Sequence, residues 1–284
     1  MNAAAQVLLF EQPEMTPGQK LASVWKEYRE MVKGHWSALA QLQAKERTLF
    51  PSLESYRYSV AAKSESDLAR ELSEAARGII QSLAWMASAQ FSPAGGRLEI
   101  DLERLHEAFP IDKYSSMDVI DAFDPAKVWE WLETNYGGDA GQKLASQQLA
   151  KRLQDALGLN RQEEIVMKGG YVVLSMTAWT DSYSSGTTYS YQTVESIRKR
   201  LLALSEVAEW MERHPLSRDL YGHFTRMGFY DKVVSRQKCG FGVNDTEVVM
   251  ITFKSSVEFR LRQDFAEELQ VFLGTYGAAN HGEM

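Results

Sequence analysis

Residues 213–238, RHPLSRDLYGHFTRMGFYDKVVSRQK, bring Arg213, Arg218, Arg226, Lys232, Arg236 and Lys238 among Tyr221, Phe224, Phe229 and Tyr230. Guanidinium groups contact phosphate or carboxylate through a planar fork, and aromatic rings stack on bases, so this mixture suits a polyanionic partner. The residues singled out as a binding set are Arg226, Lys232, Arg236 and Tyr221, with Arg260 and Arg262 as an extension from the outer side of a nearby strand. Glu206, Glu209, Glu212, Asp219 and Asp231 lie close in sequence and blunt the local field. The plain alternative is a mixed-charge surface over an aromatic core.

Other chemistry-bearing groups are sparse. Cys239, the one cysteine, has Arg236 and Lys238 beside it, which would lower a thiol pKa, but no histidine motif accompanies it. His214 and His223 bracket Asp219 at a spacing that fits no standard metal pattern. A run of acids, Glu99, Asp101, Glu103 and Glu107, then Asp112, Asp118, Asp121 and Asp124, has the residue types with which Mg²⁺-dependent nucleases hold metal. It sits in a polar connecting region and reads as solvated surface. GxxxxGK[ST], GxGxxG, HExxH and GxSxG do not occur. No cofactor or metal site is expected, and no catalytic residue is assigned.

The charge of −7 confirms that any cationic site is local: residues 1–160 carry −5 and residues 161–284 carry −2, so non-specific coating of nucleic acid is disfavoured. A lone cysteine fits a reducing cytoplasm. No segment approaches 18 consecutive apolar residues, so a membrane partner is not expected.

The elements that must position these residues follow from periodicity. Residues 1–15 read as a mobile leader. Thr16-Pro17 is an N-cap and first-turn proline, and Leu21, Trp25, Tyr28, Val32, His35 and Leu42 share one face of a helix running to about Thr48. Ser64 with Asp67 is a capping box for a second helix, whose stripe is Leu68, Leu72, Ala75, Ile79, Leu83 and Met86. These two are expected to form a long antiparallel, coiled-coil-like pair. Ser92-Pro93-Ala94-Gly95-Gly96 breaks the chain, and helices follow from Asp124-Pro125 and over 141–157, closing a helical region at 16–160.

Beyond that the period becomes 2. Strands are expected over 171–181, 187–191, 229–235, 247–253 and 257–262. Helices are expected over 193–214, ended by Pro215, and from Phe265 to Tyr276. The fold class is therefore α+β, with an α+β domain at 161–277, its sheet mostly antiparallel with helices on one face, and a disordered tail at 278–284.

Two stretches, VWKEYREMVKGHWSALAQLQAKERTLF and EVVMITFKSSVEFRLRQDFAEELQVFLGTY, resemble a family of bacterial proteins of unknown function carried by plasmids, phages and genomic islands. Some members sit beside or within DNA methyltransferase-type proteins. The likeness covers about a third of the chain and implies a mobile-element origin. The [DN]PP[YF] motif of DNA amino-methyltransferases is not present in this sequence. The function expected is non-enzymatic binding of nucleic acid or a protein partner. The alternatives are a metal-dependent nucleic-acid-processing enzyme and an assembly subunit that forms homo-oligomers through its N-terminal helices.

Overall fold

A computed structural model describes residues 14–51, 64–159, 166–183, 186–228 and 236–277. The chain is α+β: helices dominate its N-terminal part, and helices pack on an antiparallel sheet in its C-terminal part. It divides into two compact units, residues 1–90 with 100–137, and residues 91–99 with 138–284.

The first unit contains α1 (Pro17–Leu49), α2 (Glu65–Phe91, entering the second unit at its last residue), α3 (Leu102–Ala108), α4 (Met117–Ala122) and α5 (Pro125–Tyr136). The capping box at the start of α1 is reciprocal: the Gln19 amide donates to Thr16 Oγ1 at 3.2 Å, and the Thr16 amide donates to Gln19 Oε1 at 2.9 Å. α1 packs most extensively on α5. Gly18 makes this possible, because a Cβ there would overlap Trp129 of α5. Trp25, Val32 and Trp36 are buried on that side, and Trp25 meets Phe123 edge-on at 5.5 Å. His35 and Leu42, expected on the packed stripe, are exposed.

α2 starts as its capping box requires, with Ser64 and Asp67 exchanging amide bonds of 3.1 and 3.3 Å. Its fully buried line is Leu72, Ala76, Ile80, Leu83 and Ala87, one position round from part of the expected stripe. Tyr28 of α1 lies near α2: burial and then the Glu71 carboxylate raise its pKa.

The second unit holds α6 (Gly138–Leu157), β1 (Val166–Lys168), β2 (Tyr171–Thr177), β3 (Thr180–Tyr183), β4 (Gly186–Tyr189), α7 (Tyr191–Trp210), α8 (His214–Arg226), β5 (Gln237–Phe241), β6 (Val248–Thr252), β7 (Ser256–Arg262) and α9 (Gln263–Tyr276). The main sheet runs β1-β2-β7-β6-β5, every neighbour antiparallel, while β3 and β4 form a separate hairpin. Leu174, Phe259, Met250 and Cys239 stand opposite one another across four strands and face a core built with α6, α7, α8 and α9. β7 alternates as expected, with Val257, Phe259 and Leu261 buried and Glu258, Arg260 and Arg262 half-buried on the other face.

Three readings of the sequence change. α6 packs on α7 and α9 and belongs with the sheet, so the boundary expected at 160/161 does not separate the two units. Pro215 opens α8 instead of simply ending α7: α7 stops at Trp210, and a proline in the first turn of a helix loses no hydrogen bond. The strand expected at 229–235 lies outside the described residues, and a strand not anticipated, β5, follows at Gln237–Phe241.

Candidate functional site

The segment that drew attention in the sequence is largely the helix α8. Leu216, Ser217 and Leu220 are buried against its neighbours, and Ser205 of α7 donates to the Ser217 carbonyl at 3.1 Å. The 3.6-residue period then turns Arg218, Tyr221 and Thr225 outward together, and Arg226, five residues beyond Tyr221, is exposed about 140° further round the helix. Tyr221 is 52% exposed. Asp219, the acid inside this helix, is half-buried and accepts the Gly242 amide at 3.1 Å. The outward face is thereby left to its cations and aromatics.

A third cation joins from α7. The Arg198 guanidinium lies 4.4 Å from the centroid of the Phe224 ring and donates to the carbonyls of Phe224 and Met227 at 2.9 and 2.8 Å. These are the carbonyls left open at a helix end, so Arg198 caps α8 as it stacks. Tyr221 packs beside Phe224 with centroids 5.8 Å apart. Tyr221, Phe224 and Arg198 thus form a continuous ladder. Sequence reasoning missed Arg198 because it sits 26 residues from Phe224. On the opposite flank, Arg218 and Tyr221 border a shallow cavity of about 310 Å³ with Ser205, Glu206 and Glu209. Burial raises the Glu206 pKa, against the pull of Arg152 at 3.3 Å. Glu209 meets His214 at 3.1 Å.

The other residues of the expected set fare differently. Arg236 is exposed in a left-handed conformation (φ 65°), and its amide donates to Thr252. Lys232 lies outside the described residues. Arg260 is bound to Glu258 at 2.6 and 3.0 Å. Arg262 grips Asp264 with bonds of 2.6 and 2.8 Å and approaches Glu247 at 3.4 Å. These two arginines are neutralised by local carboxylates. The structure sets Tyr221 and Arg226 on different sides of α8, and places Arg260 and Arg262 in ion pairs on the sheet.

The remaining candidates have structural occupations. Asp101 and Asp124 cap α3 and α5, Asp112 accepts the Tyr114 amide, and Asp121 holds Arg29 and Lys33. Among the described residues no group of three or more His, Cys, Asp or Glu is placed to hold a metal ion. Cys239 is half-buried, and burial pushes its thiol pKa up, outweighing the basic neighbours seen in the sequence. No described helix is long and apolar enough to cross a membrane. No protein-family model, curated protein or solved structure matches the chain.

Proposed function

We propose that this chain is a non-enzymatic binding protein whose outward face of α8 engages a polyanion, with single-stranded nucleic acid as the favoured class. The observation that carries the reading is the pairing of Arg218 with Tyr221 on one exposed face of α8, with Arg226 exposed at the end of the same helix, while Asp219 binds the Gly242 amide. Exposed tyrosine offers a stacking surface, and the guanidinium groups of the same helix meet phosphates. The overall charge of −7 confines attraction to this patch and makes binding selective for a partner that fits it.

The test is fluorescence anisotropy with a labelled single-stranded oligonucleotide across a salt series. Arg218→Glu with Arg226→Glu should abolish binding, and Tyr221→Ala should weaken it about tenfold, the effect of one stacked base. The wild-type affinity should fall with salt, with a slope set by a small number of phosphate contacts. Unchanged affinity in the double variant sinks the reading. Binding confined to an acidic protein probe would reassign the same face to a protein partner.

A specific feature of α1 favours a second reading, self-association. Val24, Met31, Ala38 and Lys45 alternate with Tyr28, His35, Leu42 and Leu49 at steps of 4 and 3. This is the repeat that keeps a seam facing a partner helix. Val24, Met31, Leu42 and Leu49 are all at least half exposed. A second copy of the chain would cover them. Sedimentation equilibrium should show a dimer that Leu42→Glu with Leu49→Glu converts to monomer; a wild-type monomer at micromolar concentration removes this reading.

A further inference from the structure

Arg200 on α7 is only 8% exposed, yet among the described residues its Nε and Nη1 have no hydrogen-bond partner. Its guanidinium lies 5.7 Å from the centroid of the Phe259 ring. Burial alone pushes its pKa down to about 10, and no carboxylate contributes to that shift. A buried charge without an acceptor costs far more than a hydrogen bond normally returns, so native proteins almost always supply a partner.

An open cleft lies alongside. It has a volume of about 650 Å³, with a floor from Leu174 and Leu261 of the sheet and walls from Leu157 and Leu159 on one side and Ala266 and Leu273 of α9 on the other. That volume is in the range of small-molecule sites, about 300–1,000 Å³. Arg200 is not one of the lining residues, but its guanidinium approaches the chain between two of them. Nη2 is 3.9 Å from the point where a Gly158 side chain would begin, and Gly158 lies between the two wall leucines. Phe259 is opposite Leu174 in register and two residues from Leu261 on the same face of β7. Gly158 adopts a left-handed conformation (φ 69°) after α6. A larger residue there would be strained, and its side chain would start 3.9 Å from the guanidinium. Glu267, on the rim, accepts a hydrogen bond from Gln263 at 2.9 Å and disfavours an anionic group at the mouth.

We propose that this cleft binds a small amphiphile whose apolar tail lies along Leu157, Leu174 and Leu273 and whose anionic head reaches the Arg200 guanidinium. A guanidinium pairs with a carboxylate or a phosphate monoester alike, so the shared chemistry is a compact oxyanion on an aliphatic chain. This site is separate from the α8 face, and neither reading depends on the other.

Isothermal titration with decanoate, decyl phosphate, decanol and acetate separates the contributions of head and tail. Decanoate or decyl phosphate should bind at least tenfold more tightly than decanol or acetate, and the stronger of the two identifies the preferred head. Arg200→Met should lose at least tenfold of that affinity while leaving decanol binding unchanged. Gly274→Phe provides a second test, because a side chain begun at Gly274 meets nothing within 4 Å and projects from the cleft wall. That variant should weaken every ten-carbon probe at least tenfold. Failure of both anionic amphiphiles to bind the wild-type protein, or equal affinity for them in Arg200→Met, overturns the proposal. If Arg200→Met does not fold, undiminished binding of the anionic probes to Gly274→Phe overturns it instead.

Discussion

Arg200 and Arg213 begin alike and end differently. Both belong to the second unit, and both side chains are largely withdrawn from water. Arg213 meets Glu247, Asp264 at 3.1 Å and Glu268 at 2.8 Å, and Glu268, then Asp264, raises its pKa above the ordinary arginine value. Among the described residues Arg200 meets no carboxylate, and burial lowers its pKa. The first guanidinium ties the α7–α8 corner to β6 and α9 and is accounted for as structure. The second is a cation in search of an anion. What distinguishes a structural arginine from a candidate site is the set of acceptors the fold brings to it, and burial alone does not tell them apart.

That contrast can be broken most forcefully at Arg213. Arg213→Ala leaves Glu247, whose side chain is 6% exposed, with Arg262 at 3.4 Å as its one remaining cation among the described residues, beside the Val243 amide at 3.0 Å. Breaking a buried pair by removing one partner costs about 3–5 kcal/mol, which urea denaturation should register directly. A loss below about 1 kcal/mol would mean that the network is no stronger than a surface ion pair.

The same measurement on Arg200→Met should give the opposite sign. Replacing an uncompensated buried cation with an apolar chain should leave stability unchanged or raise it by about 1 kcal/mol when no anion is present. A large destabilisation would show that Arg200 serves the fold through its ring contact with Phe259.

A smaller effect sharpens the Arg213 side. Arg262, and then Arg213, hold the Asp264 carboxyl well below its ordinary value of 3.8. The unfolded chain therefore takes up this proton more readily than the folded one. The stabilisation is full above that ordinary value, shrinks as pH falls below it, and is gone once the folded group protonates. Because Asp264 is half exposed, the contribution is below about 1 kcal/mol. Stability measured between about pH 5 and about pH 3 should fall less steeply in Asp264→Asn than in the wild-type protein. Equal slopes would remove Asp264 from the network.

Much of the fold was legible in the sequence because local rules carry it. Thr16 with Pro17 and Ser64 with Asp67 announce their helices, since a cap needs residues at most three positions apart. The alternation at Val257, Phe259 and Leu261 places β7 with one face in the core. Where two rules compete, the sequence misleads. Pro215 reads as a helix stop and serves as a helix start, because proline is compatible with both and only the packing of Leu216 and Leu220 decides.

The candidate site was legible in part. Residue types alone marked the 213–238 segment as cationic and aromatic, and helical periodicity on a correctly placed α8 groups Arg218 with Tyr221 while setting Arg226 on another side. Charge by itself could not say which cations remain available. Arg260 and Arg262 looked like an extension of that patch, but Glu258 and Asp264, two residues away in each case, engage them.

The sequence by itself determined the α+β class, the helix caps, the alternation of the strands and the confinement of positive charge to local patches, all properties of neighbouring residues and composition. Tertiary structure alone decided that Arg198 would stack on Phe224, that Asp219 would turn to Gly242, and that Arg200 would be buried with its Nε and Nη1 unpaired among the described residues. These outcomes depend on which distant surfaces meet, and a charge's effect is set by the groups within a few ångströms of it, whatever their separation along the chain.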